Sequence, residues 1–148
     1  MRALIAASLL VLLAPIVAAQ HKIPPLPDTA AAPKKLASGI TVIDEKVGLG
    51  IPAEKGRMVR IYYTGWVTKT QVMFDYRDEK TGPLAFRLGE HTGIKGLELA
   101  VYGMRVGGKR RVLVPPSLGH GSQATTLVPP NSQLTYDVEL VAVARPGV

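Results

Sequence analysis

The chain contains no cysteine, which excludes disulfides, thiol nucleophiles and thiolate metal sites. Aromatic residues are scarce, at 5 % of 148 residues, with one tryptophan and two phenylalanines. No nucleic-acid motif accompanies them, so nucleic-acid binding is not expected. The three histidines, His21, His91 and His120, stand far apart and lack ligand spacing, so no metal site is expected. Ser117 and Ser122 flank His120 without the G-x-S-x-G elbow of a serine hydrolase. Acidic residues are few beside basic ones, 11 against 18, for a net charge of +7. Such a surface attracts anions over long range, but it mainly confers solubility. Lys109-Arg110-Arg111 is the densest basic run. Its members alternate faces if the segment is a strand, and they read as solvated charges with stems lying on the sheet.

What is present begins with an apolar run, Ala3 to Ala19, preceded by Arg2 and ending in Val17-Ala18-Ala19. That is the pattern of a secretory signal cleaved after Ala19, residues 1–19. The alternative is an uncleaved anchor, for which the run is short and interrupted by Pro15. The signal implies a periplasmic or secreted protein with no stable membrane insertion after cleavage. Residues 20–37 hold Pro24, Pro25, Pro27 and Pro33 among alanines. Proline fixes φ and removes donors, so this lead-in is expected to be extended or disordered. It is too short for a helical dimerisation domain, and a monomer is expected. The globular domain is placed at residues 38–145, one domain in size.

Within it, Ile40–Asp44 is a β-branched run and a first strand. Gly48-Leu49-Gly50-Ile51-Pro52-Ala53 spells a G-x-G-x-x-A string, but Pro52 and Gly56 forbid the helix that a dinucleotide loop must open. It reads as a turn. Met58 to Val67 alternates, with Val59, Ile61, Tyr63 and Gly65 sharing one face. Val72–Asp75 and Pro83–Leu88 are short strands around a polar loop. Gln133–Ala142 alternates most clearly, with Leu134, Tyr136, Val138, Leu140 and Ala142 inward and Thr135, Asp137 and Glu139 outward. Ile94, Leu97 and Val101 recur at helical spacing after Thr92, a candidate N-cap. Gly103 ends that helix, since the left-handed conformation costs glycine almost nothing. Gly107-Gly108 then turns the chain into a strand, Arg110 to Val114, stopped by Pro115-Pro116. The fold class is α+β: an antiparallel sheet of five or six strands wrapped around one short helix.

Four segments in register carry a resemblance. They are Tyr62-Tyr63-Thr64-Gly65-Trp66; Met73-Phe74-Asp75 running to Leu88-Gly89; Gly93 to Pro116; and Val128-Pro129-Pro130-Asn131-Ser132 with Leu134 to Leu140. Together they resemble the FKBP-type peptidyl-prolyl isomerases over roughly residues 38–145. The resemblance implies rotation of X–Pro peptide bonds without metal or cofactor, on proline-containing segments of unfolded or exported proteins. It implies catalytic roles for Tyr63, Phe74, Asp75 and His120, and substrate contacts from Leu84, Gly93, Ile94, Leu97, Leu127, Val128 and Tyr136. Tyr63, Phe74 and Tyr136 would be aromatic walls, although taken alone each reads as ordinary core. The Ile94 backbone N–H would anchor a substrate carbonyl, and Asp75 would stand at the pocket edge, orienting its neighbours.

Three positions depart from the family pattern. Leu97 stands where a tryptophan usually floors the pocket, His120 replaces a ligand-bonding tyrosine, and Leu84 replaces a wall phenylalanine. The floor stays apolar but shallower, and His120 keeps a donor whose charge changes where an imidazole titrates, between about pH 5 and 8. These changes raise an alternative, an FKBP-like peptide-binding or chaperone module with little or no turnover.

Overall fold

The computed structural model describes residues 22–91 and 94–145. The expected signal at 1–19, Thr92 and Gly93 lie outside those residues. In chain order the strands are β1 (Lys34–Lys35), β2 (Thr41–Lys46), β3 (Met58–Val67), β4 (Met73–Arg77), β5 (Leu84–Arg87), β6 (Lys109–Val114) and β7 (Leu134–Val143). Helix α1 (Lys95–Val101) lies between β5 and β6, and a 3-10 turn (Pro116–Leu118) follows β6. All pairings are antiparallel, in the order β1-β2-β6-β7-β3-β4, with β5 pairing the first half of β3 and β4 its second half.

The inner face follows from alternation. Val59, Ile61 and Tyr63 on β3, and Leu134, Tyr136, Val138 and Leu140 on β7, are buried together. Helix α1 closes this face with Leu97, Ala100 and Val101. Its close approach needs a glycine: a Cβ on Gly96 would stand 2.5 Å from Val114 Cγ1. Gly103 takes φ +76 just past the helix, as its expected role requires. The helix is capped at Ile94, an extended residue whose side chain makes no capping bond.

Three details differ from the alternation reading. The sheet has a seventh strand because Lys34 and Lys35, in the lead-in, pair with Val42 and Thr41 through the backbone. No side-chain pattern marks a pairing made only by main-chain groups. Ala142 is not the inward residue at the end of β7. A bulge pairs Arg60 with Ala142 and Ile61 with Leu140, so the phase slips and Val143 is buried instead. Thr135 points away from the helix yet is buried, its hydroxyl 2.9 Å from that of Thr68.

The arginines of the basic run are not solvated. Arg111 is 7 % exposed and grips Asp137 through two bonds, Nε to Oδ1 at 2.6 Å and Nη2 to Oδ2 at 2.8 Å. Arg110 donates to Asp44 at 2.6 Å and through Nη1 to the carbonyls of Ala100 and Tyr102 at 2.9 and 3.3 Å. It thereby satisfies carbonyls that the end of α1 leaves unpaired.

Candidate active site

One end of the inner face opens into a hollow of about 290 Å³, bordered by Phe74, Asp75, Ile94, His120, Thr125, Thr126 and Leu127. Neighbours in a regular strand face opposite sides, yet Phe74 and Asp75 both reach this hollow. The β3–β4 register explains it: Gly65 pairs with Asp75 and Trp66 with Met73, so Phe74 is the extra residue of a bulge.

Behind the lining the aromatic rings interlock edge to face. Phe74 meets Tyr136 at 5.7 Å between centroids, Tyr136 meets Tyr63 at 6.0 Å, and Phe74 meets His120 at 5.8 Å. Edge-to-face geometry suits rings whose edges are positive and faces negative. The Tyr63 hydroxyl donates to Asp75 Oδ2 at 2.6 Å, and the Tyr76 N–H donates to Asp75 Oδ1 at 2.9 Å. The carboxylate is thus held from both sides. Burial first, then the bond to Asp75 and its charge, push the Tyr63 phenol up to about 12. Tyr136 is raised too, by burial first and then by Tyr63 and Asp75. Both remain protonated at neutral pH, and Tyr63 remains a donor.

Of the residues the resemblance pointed to, Phe74, Asp75, Ile94, His120 and Leu127 border the hollow directly. Tyr63 and Tyr136 are buried behind them and join through ring contacts and the bond to Asp75. Leu97 and Val128, each 1 % exposed, belong to the core beneath rather than to the open surface. Leu84 sits on β5 opposite Ile61, half-buried against the core, and is not among the residues that border the hollow. Gly93 lies outside the described residues.

Four contributors carried no signal that residue type alone would reveal. Thr125 and Thr126 border the hollow, and Thr125 folds its loop by accepting the Val128 N–H at 3.1 Å. That pins Leu127 at the rim, half exposed, above buried Val128. Gly65 makes room for the rings: a Cβ there would stand 2.7 Å from Tyr136 Cε1 and 2.9 Å from Phe74 Cζ. Glu98 is a carboxylate 3 % exposed on α1, and its Oε1 accepts the Gly89 N–H at 2.5 Å. It ties the approach to the helix, where His91 takes φ +53 with its Nδ1 3.5 Å from Glu98 Oε2. Helical spacing already sets Glu98 on the face of Ile94, Leu97 and Val101; what it does not convey is the turn this carboxylate anchors.

Among the described residues no cluster of histidine and carboxylates is arranged to hold a metal ion. The hollow offers apolar edges, one fixed carboxylate and an imidazole. Its volume lies at the low end for ligand pockets.

Comparison with known proteins agrees with this fold. The family profile described as FKBP-type peptidyl-prolyl cis-trans isomerase matches residues 50–141. FK506-binding protein 3 of Candida albicans (strain SC5314 / ATCC MYA-2876) is 44 % identical over 110 residues, 74 % of this chain and 25 % of that protein. The chain spans about a quarter of the length of the first curated relatives it matches. The crystal structure of AtFKBP13 superposes with a TM-score of 0.69 at 30 % identity, covering 77 % of this chain and 100 % of that one. A peptidyl-prolyl cis-trans isomerase structure from Pseudomonas syringae pv. tomato str. DC3000 superposes at 0.66 with 29 % identity, covering 86 % and 87 %. The antiparallel sheet around one short helix is the FKBP-like fold, and the chain belongs to the FKBP-type peptidyl-prolyl cis-trans isomerase family.

Proposed function

We propose that the chain isomerises X–Pro bonds of exported proteins, with the hollow between Phe74, Ile94 and Leu127 receiving the proline. The barrier is ~18–20 kcal/mol because amide resonance gives the C–N bond double-bond character. At the twist that resonance is lost and the amide is less polar. A water-poor site therefore costs the twisted form less than the planar one, which lowers the barrier without breaking a bond. The observation that carries this reading is the bulge that turns Phe74 and Asp75 into one apolar hollow, with the carboxylate fixed by Tyr63. In this reading Phe74 and Tyr136 wall the ring. Ile94, at the helix start, presents its N–H to the substrate carbonyl as the family resemblance implies. Asp75 supplies a fixed charge beside the rotating bond, and His120 stands as donor at the rim.

Location in the periplasm or outside the cell rests on residues 1–19, and a mature N-terminus at Gln20 on the secreted protein is the expected result. The chain is taken to act as a monomer. The test of the activity is a protease-free isomerase assay together with refolding of a protein limited by one prolyl bond. Acceleration in both supports the enzyme. No turnover with retained peptide binding would make the fold a binding module, the reading that Leu97, Leu84 and His120 favour.

A further inference from the structure

Ile43 and Trp66 are buried, yet neither belongs to the core that α1 closes. The ladders place them on the opposite face. One row crosses the sheet as Ile43, Arg111, Asp137, Thr64 and Tyr76, and the next as Thr41, Leu113, Thr135, Trp66 and Met73. What covers this outer face is the lead-in. The Ala31 N–H donates to the Asp44 carbonyl at 2.8 Å, beside β2, whereas Lys22 to Pro25 stand beside Trp66, Met73 and Tyr76 on β3 and β4. The residues between therefore run across the sheet as a strap.

In the strap's first six residues, 22–27, the two half-buried side chains stand three apart. Ile23 and Leu26 are half-buried while Lys22, Pro24, Pro25 and Pro27 are exposed. Three residues per turn is the repeat of the polyproline helix, so one edge of the strap rests on the sheet. It does not fill the space beneath. A cavity of about 930 Å³ lies between the strap and the outer face, larger than the hollow on the inner side.

We propose that this outer-face groove is a second binding site, for an extended proline-rich segment of another polypeptide, which residues 22–27 partly occupy in cis. Polyproline segments dock on aromatic grooves because they are already extended and lose little entropy. Trp66 and Tyr76 supply the aromatic surfaces, and the Met73 thioether adapts to irregular shapes. Asp78 borders the same cavity as Lys22. The backbone N–H of Thr81 leads the bonds that hold its carboxyl below the usual range, so it stays ionised toward a basic residue. The strap itself, Lys22-Ile23-Pro24-Pro25, is the pattern such a groove would select.

Trp66 is the chain's one tryptophan, so its emission and indole N–H resonance report on this face alone. The probe is the hexapeptide Lys-Ile-Pro-Pro-Leu-Pro, with Lys-Ile-Ala-Ala-Leu-Ala as control, titrated into residues 20–148, the expected mature chain, and into its Ile23→Ser/Leu26→Ser double variant. Expected is a saturable Trp66 shift that is about tenfold weaker for the control. Binding should tighten about fivefold in the double variant, where the competing strap is released. The shift should saturate at peptide concentrations that leave the His120 ring resonances of the hollow unmoved. A silent Trp66 in both proteins overturns the proposal. So does a shift that moves in step with His120, which confines the peptide to the hollow, or self-association of the double variant, which makes a second copy the occupant.

Discussion

The two faces of one sheet are held by different physics, and β7 shows it residue by residue. Its inward side chains Leu134, Tyr136, Val138 and Leu140 are all at most 2 % exposed and pack under α1. Its outward side chains Thr135, Asp137 and Glu139 meet a hydroxyl, a buried arginine and a lysine at 3.8 Å. The inner face sums many small dispersion contacts, and an error there is shared among neighbours. The outer face rests on a few directional bonds, where one missing partner leaves a charge stranded. Substitutions on the two faces should therefore fail in different ways.

The largest expected effect is on the outer face. Arg111→Ala leaves Asp137 without the bidentate partner that satisfies it, and removing one member of a buried pair costs 3–5 kcal/mol. Asp137 is 26 % exposed and Glu45, at 4.0 Å from Arg111, 19 %, so the low end, about 3 kcal/mol, applies. Urea denaturation measures it, and the Arg111→Ala/Asp137→Ala double variant should recover part of the loss. A loss below about 1 kcal/mol would make the pair an ordinary surface bridge and erase the contrast between the faces.

Gly65→Ala tests the inner face. The added methyl meets the Tyr136 and Phe74 rings at 2.7 and 2.9 Å, and overpacking of this kind costs about 1–3 kcal/mol. Because Phe74 also borders the hollow, turnover should fall along with stability. Full stability with lost turnover would mean that Phe74 alone yields; unchanged values in both would show that the rings are not locked together.

That contrast also marks what residue order could and could not convey. Alternation along Met58–Val67 and Leu134–Val143 made the inner face legible, because burial of one side of a strand writes itself as a period of two. Gly103 announced the end of α1 through its conformation. The two bulges left no trace: nothing in Met73-Phe74-Asp75 says that neighbours share a side, and nothing near Ala142 says that the phase slips. The Lys-Arg-Arg run misled because charge at a surface strand ordinarily means solvent. Its partners Asp44, Asp137 and the helix carbonyls are 66, 26 and 8–10 residues away in sequence. The hollow's aromatics were indistinguishable from core by type, and the family register, not the physics of single residues, singled them out.

A smaller effect separates Tyr63 from its neighbours. Its phenol is raised to about 12 from 10.0, so the unfolded chain loses this proton first as pH rises. The contribution to stability is whole below about pH 10 and disappears as pH climbs through about 12. Wild type should therefore lose stability above about pH 10 more steeply than Tyr63→Phe, which at neutral pH gives up only about 1 kcal/mol, one hydrogen bond's worth. Phenolate absorbance should show Tyr63 and Tyr136 titrating last among five tyrosines. A wild type and variant with the same alkaline slope would break the link between Tyr63 and Asp75.

The smallest expected effect concerns His120, whose ring lies edge to face with Phe74 and borders the hollow together with Asp75. An aromatic pair of this geometry adds about 0.5–1.5 kcal/mol beyond the area it buries. His120→Ala should therefore loosen Phe74 at the rim and lower turnover by no more than about tenfold, the equivalent of about 1.4 kcal/mol. His120→Tyr keeps a ring and a donor at the same place and should restore most of that loss. An alanine variant that turns over like the wild type would leave the ring a bystander at the rim and nothing more.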